Sequence, residues 1–181
     1  MRFTDMPLDS RNSDTPTQAY TIGLETPEMD AHIVGMTDRA FGPGRFVKTA
    51  ERLREGLKPY ADLSFVAQKH GRLAGSVRLW PVSLQSGEQT ETLAFLGPIV
   101  VEPEFRSLGL GKQLISRSLD AAAKAGLRAV LLVGDAAYFE PLGFERANVT
   151  LPGPVDARRV LVHYLAPGDK LAGDVVRAEI I

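Results

Sequence analysis

Between Leu96 and Lys112 an apolar stretch, Leu96-Gly97-Pro98-Ile99-Val100-Val101, passes through a short polar link into Arg106-Ser107-Leu108-Gly109-Leu110-Gly111-Lys112. The pattern reads as strand, loop and helix mouth in that order, which leaves few folds open. The first N–H groups of a helix lack intrahelical partners, and the aligned peptide dipoles add partial positive charge, so such a site receives a phosphate well. Gly109 and Gly111 carry no Cβ, which lets an anion come close to their amides. What stands here is R-x-x-G-x-G; it is neither the dinucleotide fingerprint G-x-G-x-x-G nor the P-loop G-x-x-x-x-G-K-[ST].

Downstream, Leu114, Ile115, Leu119, Ala122 and Ala123 fall along one stripe, with Lys112, Gln113, Arg117, Asp120 and Lys124 opposite. That spacing predicts a helix over 109–125, stopped by Gly126. Arg128-Ala129-Val130-Leu131-Leu132-Val133 is then a continuous apolar run of strand length, as expected for a strand buried on both faces. The helix is the right-handed crossover that makes this strand parallel to the one before the loop.

Upstream, residues 1–19 are polar and rich in Asp, Ser, Thr and Pro, which predicts a flexible tail before a single domain over 20–181. A short strand at 20–25 precedes Thr26 as N-cap and Pro27 at the first helical position, opening a helix with the apolar set Met29, Ile33, Met36 and Phe41. Phe41-Gly42-Pro43-Gly44-Arg45-Phe46 breaks that helix. A second is predicted over about 45–57, with Arg52 and Arg54 exposed. The break is either a substrate-facing segment or a plain helix connection.

Residues 63–69 and 73–82 read as a hairpin around His70-Gly71-Arg72, followed by a polar connection at 83–89 and a strand at 92–101. Asp135 is the expected N-cap of a short helix over 136–142, closed by Gly143. A weak strand at 145–149, a clear one at 158–165 and a terminal one at 175–180 complete the chain.

Composition limits the function classes. A chain of 181 residues with 44% hydrophobic and 24% charged residues is ordinary for one globular domain. No apolar run is long enough for a membrane span and no signal-peptide pattern opens the chain, so a cytoplasmic protein without membrane partners is expected. The absence of cysteine removes disulfides, thiolate ligands and a cysteine nucleophile. A net charge of −1 argues against nucleic acid as a partner. His32, His70 and His163 are scattered without metal-ligand spacing, so no metal is expected.

Leu96-Gly97-Pro98-Ile99-Val100-Val101-x-Pro103, Arg106-x-x-Gly109-x-Gly111 and Tyr138-Phe139-Glu140-Pro141-Leu142-Gly143-Phe144, in this order, resemble the GNAT superfamily of acyl-CoA-dependent N-acyltransferases over about residues 20–166. Leu131-Leu132-Val133-Gly134-Asp135-Ala136-Ala137-Tyr138-Phe139 and Ala166-Pro167-Gly168 are similar to its bacterial YhbS-like branch. The resemblance implies an α/β (α+β) fold. Its central mixed, twisted sheet of about six to seven strands is flanked by about four helices, with strands four and five parallel and splayed. Gly97-Pro98 within a strand independently marks a bulge or an edge.

The resemblance also implies acetyl-CoA as acyl donor and a primary amine on a small molecule or peptide as acceptor, attacking directly. Arg106, Ser107, Leu108, Gly109, Leu110, Gly111 and Lys112 would hold the pyrophosphate, while Ile99, Val100, Val101 and Phe139 would border the pantetheine arm and thioester. A backbone amide at Val100 or Val101, with Val101 the choice, would polarise the thioester carbonyl. In much of the family a tyrosine second in the aromatic pair protonates the leaving thiolate; that position is Phe139, and Tyr138 precedes it. One residue of helix turns a side chain by about 100°, so Tyr138 is a candidate acid with an altered aim.

Some members carry a glutamate base where this chain has Phe95, and no base is assigned. Glu102 and Glu104 read as solvent-facing. Arg78 and Trp80, sharing a strand face, and His163 with Tyr164 either border an acceptor pocket or serve packing. The substituted acid and base positions keep a non-catalytic acyl-CoA-binding sensor as the alternative, with a generic phosphate-ligand domain third. A homodimer paired through the terminal strands is compatible with the chain.

Overall fold

The computed structural model describes residues 20–180, so the predicted tail at 1–19 lies outside the described residues. One mixed sheet organises them. Its main path runs β1 (Thr21–Leu24), β2 (Phe65–Lys69), β3 (Arg72–Ser86), β4 (Gln89–Val101), β5 (Ala129–Val133), β8 (Val160–Tyr164) and β6 (Glu145–Arg146). Beyond the end of β2, the last strand β9 (Ala172–Arg177) takes the free side of β3 and carries β7 (Asn148–Thr150) with it. The main path has the expected size, and β7 and β9 extend it to nine strands.

The predicted hairpins form, with one change. Residues 83–86 and 89–91 continue β3 and β4 instead of making a polar connection, and only Gly87 and Glu88 remain between the strands. Leu84 is buried there, and β9 supplies backbone partners on the other side. The terminal strand begins at Ala172 and ends at Arg177, earlier than the predicted 175–180, because its register is set by pairing with β3.

Helix α1 (Asp30–Phe41) follows a 3₁₀ turn over Pro27–Met29, and Thr26 makes no side-chain cap bond. Ile33 and Met36 are buried as expected, whereas Phe41 stays about half exposed. The predicted second helix is mostly absent. Pro43–Val47 is a 3₁₀ turn, Lys48 is extended, and α2 covers only Thr49–Arg52. Short helices depend on tertiary burial, and Phe46 and Val47 are exposed, so little apolar surface is available to hold a longer one.

Helix α3 (Leu110–Lys124) matches its prediction and packs Leu110, Leu114, Ile115, Leu119 and Ala122 on one sheet face with Ala94, Leu96, Val130 and Leu132. Alternate residues Leu93, Phe95 and Leu131 look to the opposite face, where Leu53, Leu151 and Leu171 cover them. Each fully buried side chain of this kind contributes roughly 1.5–3 kcal/mol relative to exposure. Helix α4 (Ala136–Phe139) continues as a 3₁₀ turn to Leu142, capped by the Asp135 carboxylate accepting from Ala137 N–H, as the sequence predicts.

Candidate active site

Strands β4 and β5 pair in parallel at Ala94 with Val130 and Phe95 with Leu131, and no further. Beyond those residues the strands separate. On the other edge of β4, Val77 pairs with Ile99 and Leu79 with Leu96, so Arg78 faces both Gly97 and Pro98 across a bulge. Gly97 and Pro98 are joined by a cis peptide bond.

The antiparallel ladder decides which backbone groups reach the gap. Glu102 N–H donates to Ala74 O at 2.9 Å, and hydrogen-bonding direction alternates along a strand. Val100 therefore turns its peptide groups to β3, while Ile99 and Val101 turn theirs toward the gap. Arg106 Nε donates to Val101 O at 3.1 Å on that side. Of the two amides considered from the sequence, Val101 is thus the one left outside the sheet, and Ile99 shares its orientation.

Past the end of β4 the loop bends through Ser107 and Gly109, both at positive φ, and Gly109 is the left-handed N-cap of α3. No side chain caps this helix and no acidic residue sits in its first turn. The first intrahelical bond is Gln113 N–H to Gly109 O at 3.2 Å, so the preceding amides of Leu110, Gly111 and Lys112 have no intrahelical acceptor. A Cβ on Gly109 would meet nothing within 4 Å. The cradle is open and cationic, which fits a pyrophosphate.

A cleft of about 510 Å³ occupies the gap, bordered by Gly97, Pro98, Ile99, Gly134 and Phe139. A smaller one of about 330 Å³ adjoins it, bordered by Val34, Phe46, Arg78 and Trp80. Arg45, Glu51, Arg54 and Pro98 line both. Phe41, Arg45 and Phe46 of the break between the helices line these clefts.

The aromatic pair divides as the one-residue shift implies. Phe139 is buried and borders the larger cleft, its ring lying so close to Gly134 that a Cβ there would approach Phe139 Cε2 to 2.5 Å. Tyr138 crosses the Phe139 ring edge-on and places its hydroxyl 2.9 Å from where a Gly111 Cβ would stand. It sits over the first turn of α3 and borders neither cleft. Burial raises its pKa, so the phenol is protonated at neutral pH.

Arg78 and Trp80 share the smaller cleft. Arg78 is buried and paired with Glu25 at 2.9 Å and Asp30 at 2.7 Å, and Trp80 Nε1 donates to Gly97 O at 2.6 Å. Glu104 is exposed beside Arg72, whereas Glu102 is partly covered by its bond to Arg39. His163 packs against Phe144. Arg52 is exposed as predicted, but Arg54 is not: only 9% of its side chain is accessible. The truncated helix explains the reversal, since the turn after Arg52 swings Arg54 inward over Phe95, 5.8 Å from the ring centroid. The sequence marks Arg54 only as an exposed position of the predicted second helix and gives no signal for Glu51.

An uncapped helix mouth beside two parallel strands that part around a cleft is the arrangement that the resemblance to acyl-CoA-dependent acyltransferases implies. The chain belongs to the Acetyltransferase (GNAT) family, which matches residues 32–144. It is 32% identical over 127 residues to the N-acetyltransferase YhbS of Escherichia coli K12, covering 70% of this chain and 71% of that protein. The crystal structure of Escherichia coli YhbS in complex with CoA is similar with a TM-score of 0.73 and 27% identity, over 98% of this chain and 94% of that one. A GNAT acetyltransferase from Brucella melitensis in complex with acetyl-CoA is similar with a TM-score of 0.67 and 27% identity, over 87% and 94% of the two chains. No helix among the described residues is long and apolar enough to cross a membrane.

Proposed function

We propose that this protein transfers an acetyl group from acetyl-CoA to a primary amine by direct attack. The observation that carries the reading is the early end of the β4–β5 pairing beside an uncapped α3. Acetyl-CoA contributes a thioester, an acyl group already activated toward an amine. Leu110, Gly111 and Lys112 offer their amides to the pyrophosphate, with Ser107, Leu108 and Gly109 shaping the loop. Arg106 holds that loop to the end of β4 through Val101 O.

Val101 N–H, turned to the gap, donates to the thioester oxygen as negative charge gathers there. Ile99 and Phe139 border the slot. Tyr138, protonated at the mouth of α3, supplies the proton to the departing sulfur as the C–S bond breaks, while water takes the proton that the amine loses and returns one to the phenol.

Thiol release from acetyl-CoA across a panel of amines and peptides, with the acetylated product identified by mass spectrometry, tests the reading. Acetyl-CoA at a hundred times its Kd stabilises the fold by about 2.7 kcal/mol, while ATP and NAD leave the melting temperature unchanged. Binding without turnover for every amine would overturn catalysis and leave an acyl-CoA-binding module. Equal stabilisation by ATP would overturn the CoA assignment.

A further inference from the structure

We propose that the acceptor amine carries a carboxylate and that Arg54 receives it, which makes an amino-acid-like molecule the substrate class. The inference rests on the acetyltransferase reading and adds the acceptor to it.

Arg54 is a buried cation that shares its one carboxylate partner with a second arginine. A buried guanidinium is costly unless its charge and its donors are both satisfied. The Arg54 guanidinium makes one hydrogen bond among the described residues, from Nη1 to Glu51 Oε1 at 3.4 Å, and its Nε has no partner. The same Glu51 oxygen already accepts from Arg45 Nη1 at 2.7 Å. Arg45 also reaches Asp38 at 2.9 Å, so it is the better neutralised of the pair. Arg78 is held by Glu25 and Asp30. The Phe95 ring contributes a cation–π contact to Arg54 at 5.8 Å, which satisfies none of its N–H groups. Desolvation lowers the Arg54 pKa to about 10, so the group is still a cation at neutral pH.

Arg54 lines both clefts where they meet. Its Nη2 is 3.5 Å from where a Cβ on Gly97 would stand, so it covers the β4 backbone where the gap opens. Val101, whose N–H turns to the gap and meets the thioester oxygen, is four residues along, about 13 Å of strand. With about 3 Å taken by each of the hydrogen bond to the guanidinium, the attack on the thioester carbon and the hydrogen bond at its oxygen, an amine and a carboxylate one or two carbons apart fit what is left, the amine toward the thioester slot and the carboxylate on the guanidinium. Arg54 leaves its Nε unspent and only weakly engages Glu51. Arginine also offers a planar fork suited to a carboxylate, which a lysine would not.

The test compares acceptors that differ only in this group: glycine, leucine and phenylalanine against their carboxamides, as acetyl acceptors for the full chain. A carboxylate is expected to raise kcat/KM by about ten- to a hundredfold for at least one pair, through KM. The less basic amine of an amide is more fully deprotonated, a bias that runs against this result. Arg54→Gln removes the preference by raising KM for the acid, and acetyl-CoA affinity reports whether the variant is folded. If Arg54→Gln does not fold, Arg54→Lys, which keeps charge without the fork, is expected to retain only part of the preference.

Equal use of acid and amide in every pair, or a preference that survives Arg54→Gln, overturns the proposal. Should no amine be acetylated, the transferase reading fails, and the carboxylate site is then judged by calorimetry. N-acetylphenylalanine should bind the CoA-loaded protein more tightly than its amide, and equal binding would overturn the proposal.

Discussion

Tyr138 and Phe139 show how one position in a helix redistributes chemistry. Phe139 fills the wall of the cleft and cannot give up a proton, while the Tyr138 hydroxyl lies over Gly111 at the mouth of α3. Tyr138→Phe is expected to lower kcat by about a hundredfold, the lower range for a lost general acid, with acetyl-CoA affinity retained. Stopped-flow thiol release and equilibrium binding separate the two quantities, and unchanged turnover removes Tyr138 from the mechanism. The shift was legible in the sequence because helix geometry is local. The inward turn of Arg54 was not, because it follows from where the chain leaves α2 and from the sheet face it meets there.

The strands and helices differ in how far their limits could be read. Helix α3 has a strong stripe of apolar residues, and its observed limits lie within a residue of the prediction. The segment after α1 has no such stripe, and its short turns are fixed by contacts made from outside. Arg45 joins Asp38 to Glu51 across it, and Thr49 Oγ1 donates to Pro154 O at 3.0 Å. A similar tie binds the start of the fold, where Arg78 on β3 holds Glu25 after β1 and Asp30 in α1. Arg78→Ala should destabilise by about 3–5 kcal/mol in urea unfolding, because Glu25 is left as a buried carboxylate without its cation. Replacing both, as Arg78→Met with Glu25→Leu, should recover most of that loss; a double variant no better than the single one would show that Arg78 acts through packing alone.

Taken whole, the molecule couples its folding to pH through His163. Burial lowers its pKa from 6.5, opposed by neighbouring backbone groups of Leu142 and Gly143. Between the lowered folded value and 6.5 the unfolded chain binds more protons than the native one, so stability rises with pH across that window and is lost as pH falls through it. Urea midpoints measured from pH 7.5 to 5 should show this slope, and His163→Gln should flatten it; an unchanged slope would assign it to other groups. By itself the sequence determined the glycine loop before α3, the crossover helix, a bulge or an edge at Gly97-Pro98 and the order of the aromatic pair, all set by residue type and short-range periodicity. Only the tertiary structure decided where β4 and β5 part, which amides face the gap, and that Arg54 lies buried at the junction of two clefts. Those features depend on ladder register and on segments distant in the chain, such as Glu51, Phe95 and Gly97, whose proximity no local pattern encodes.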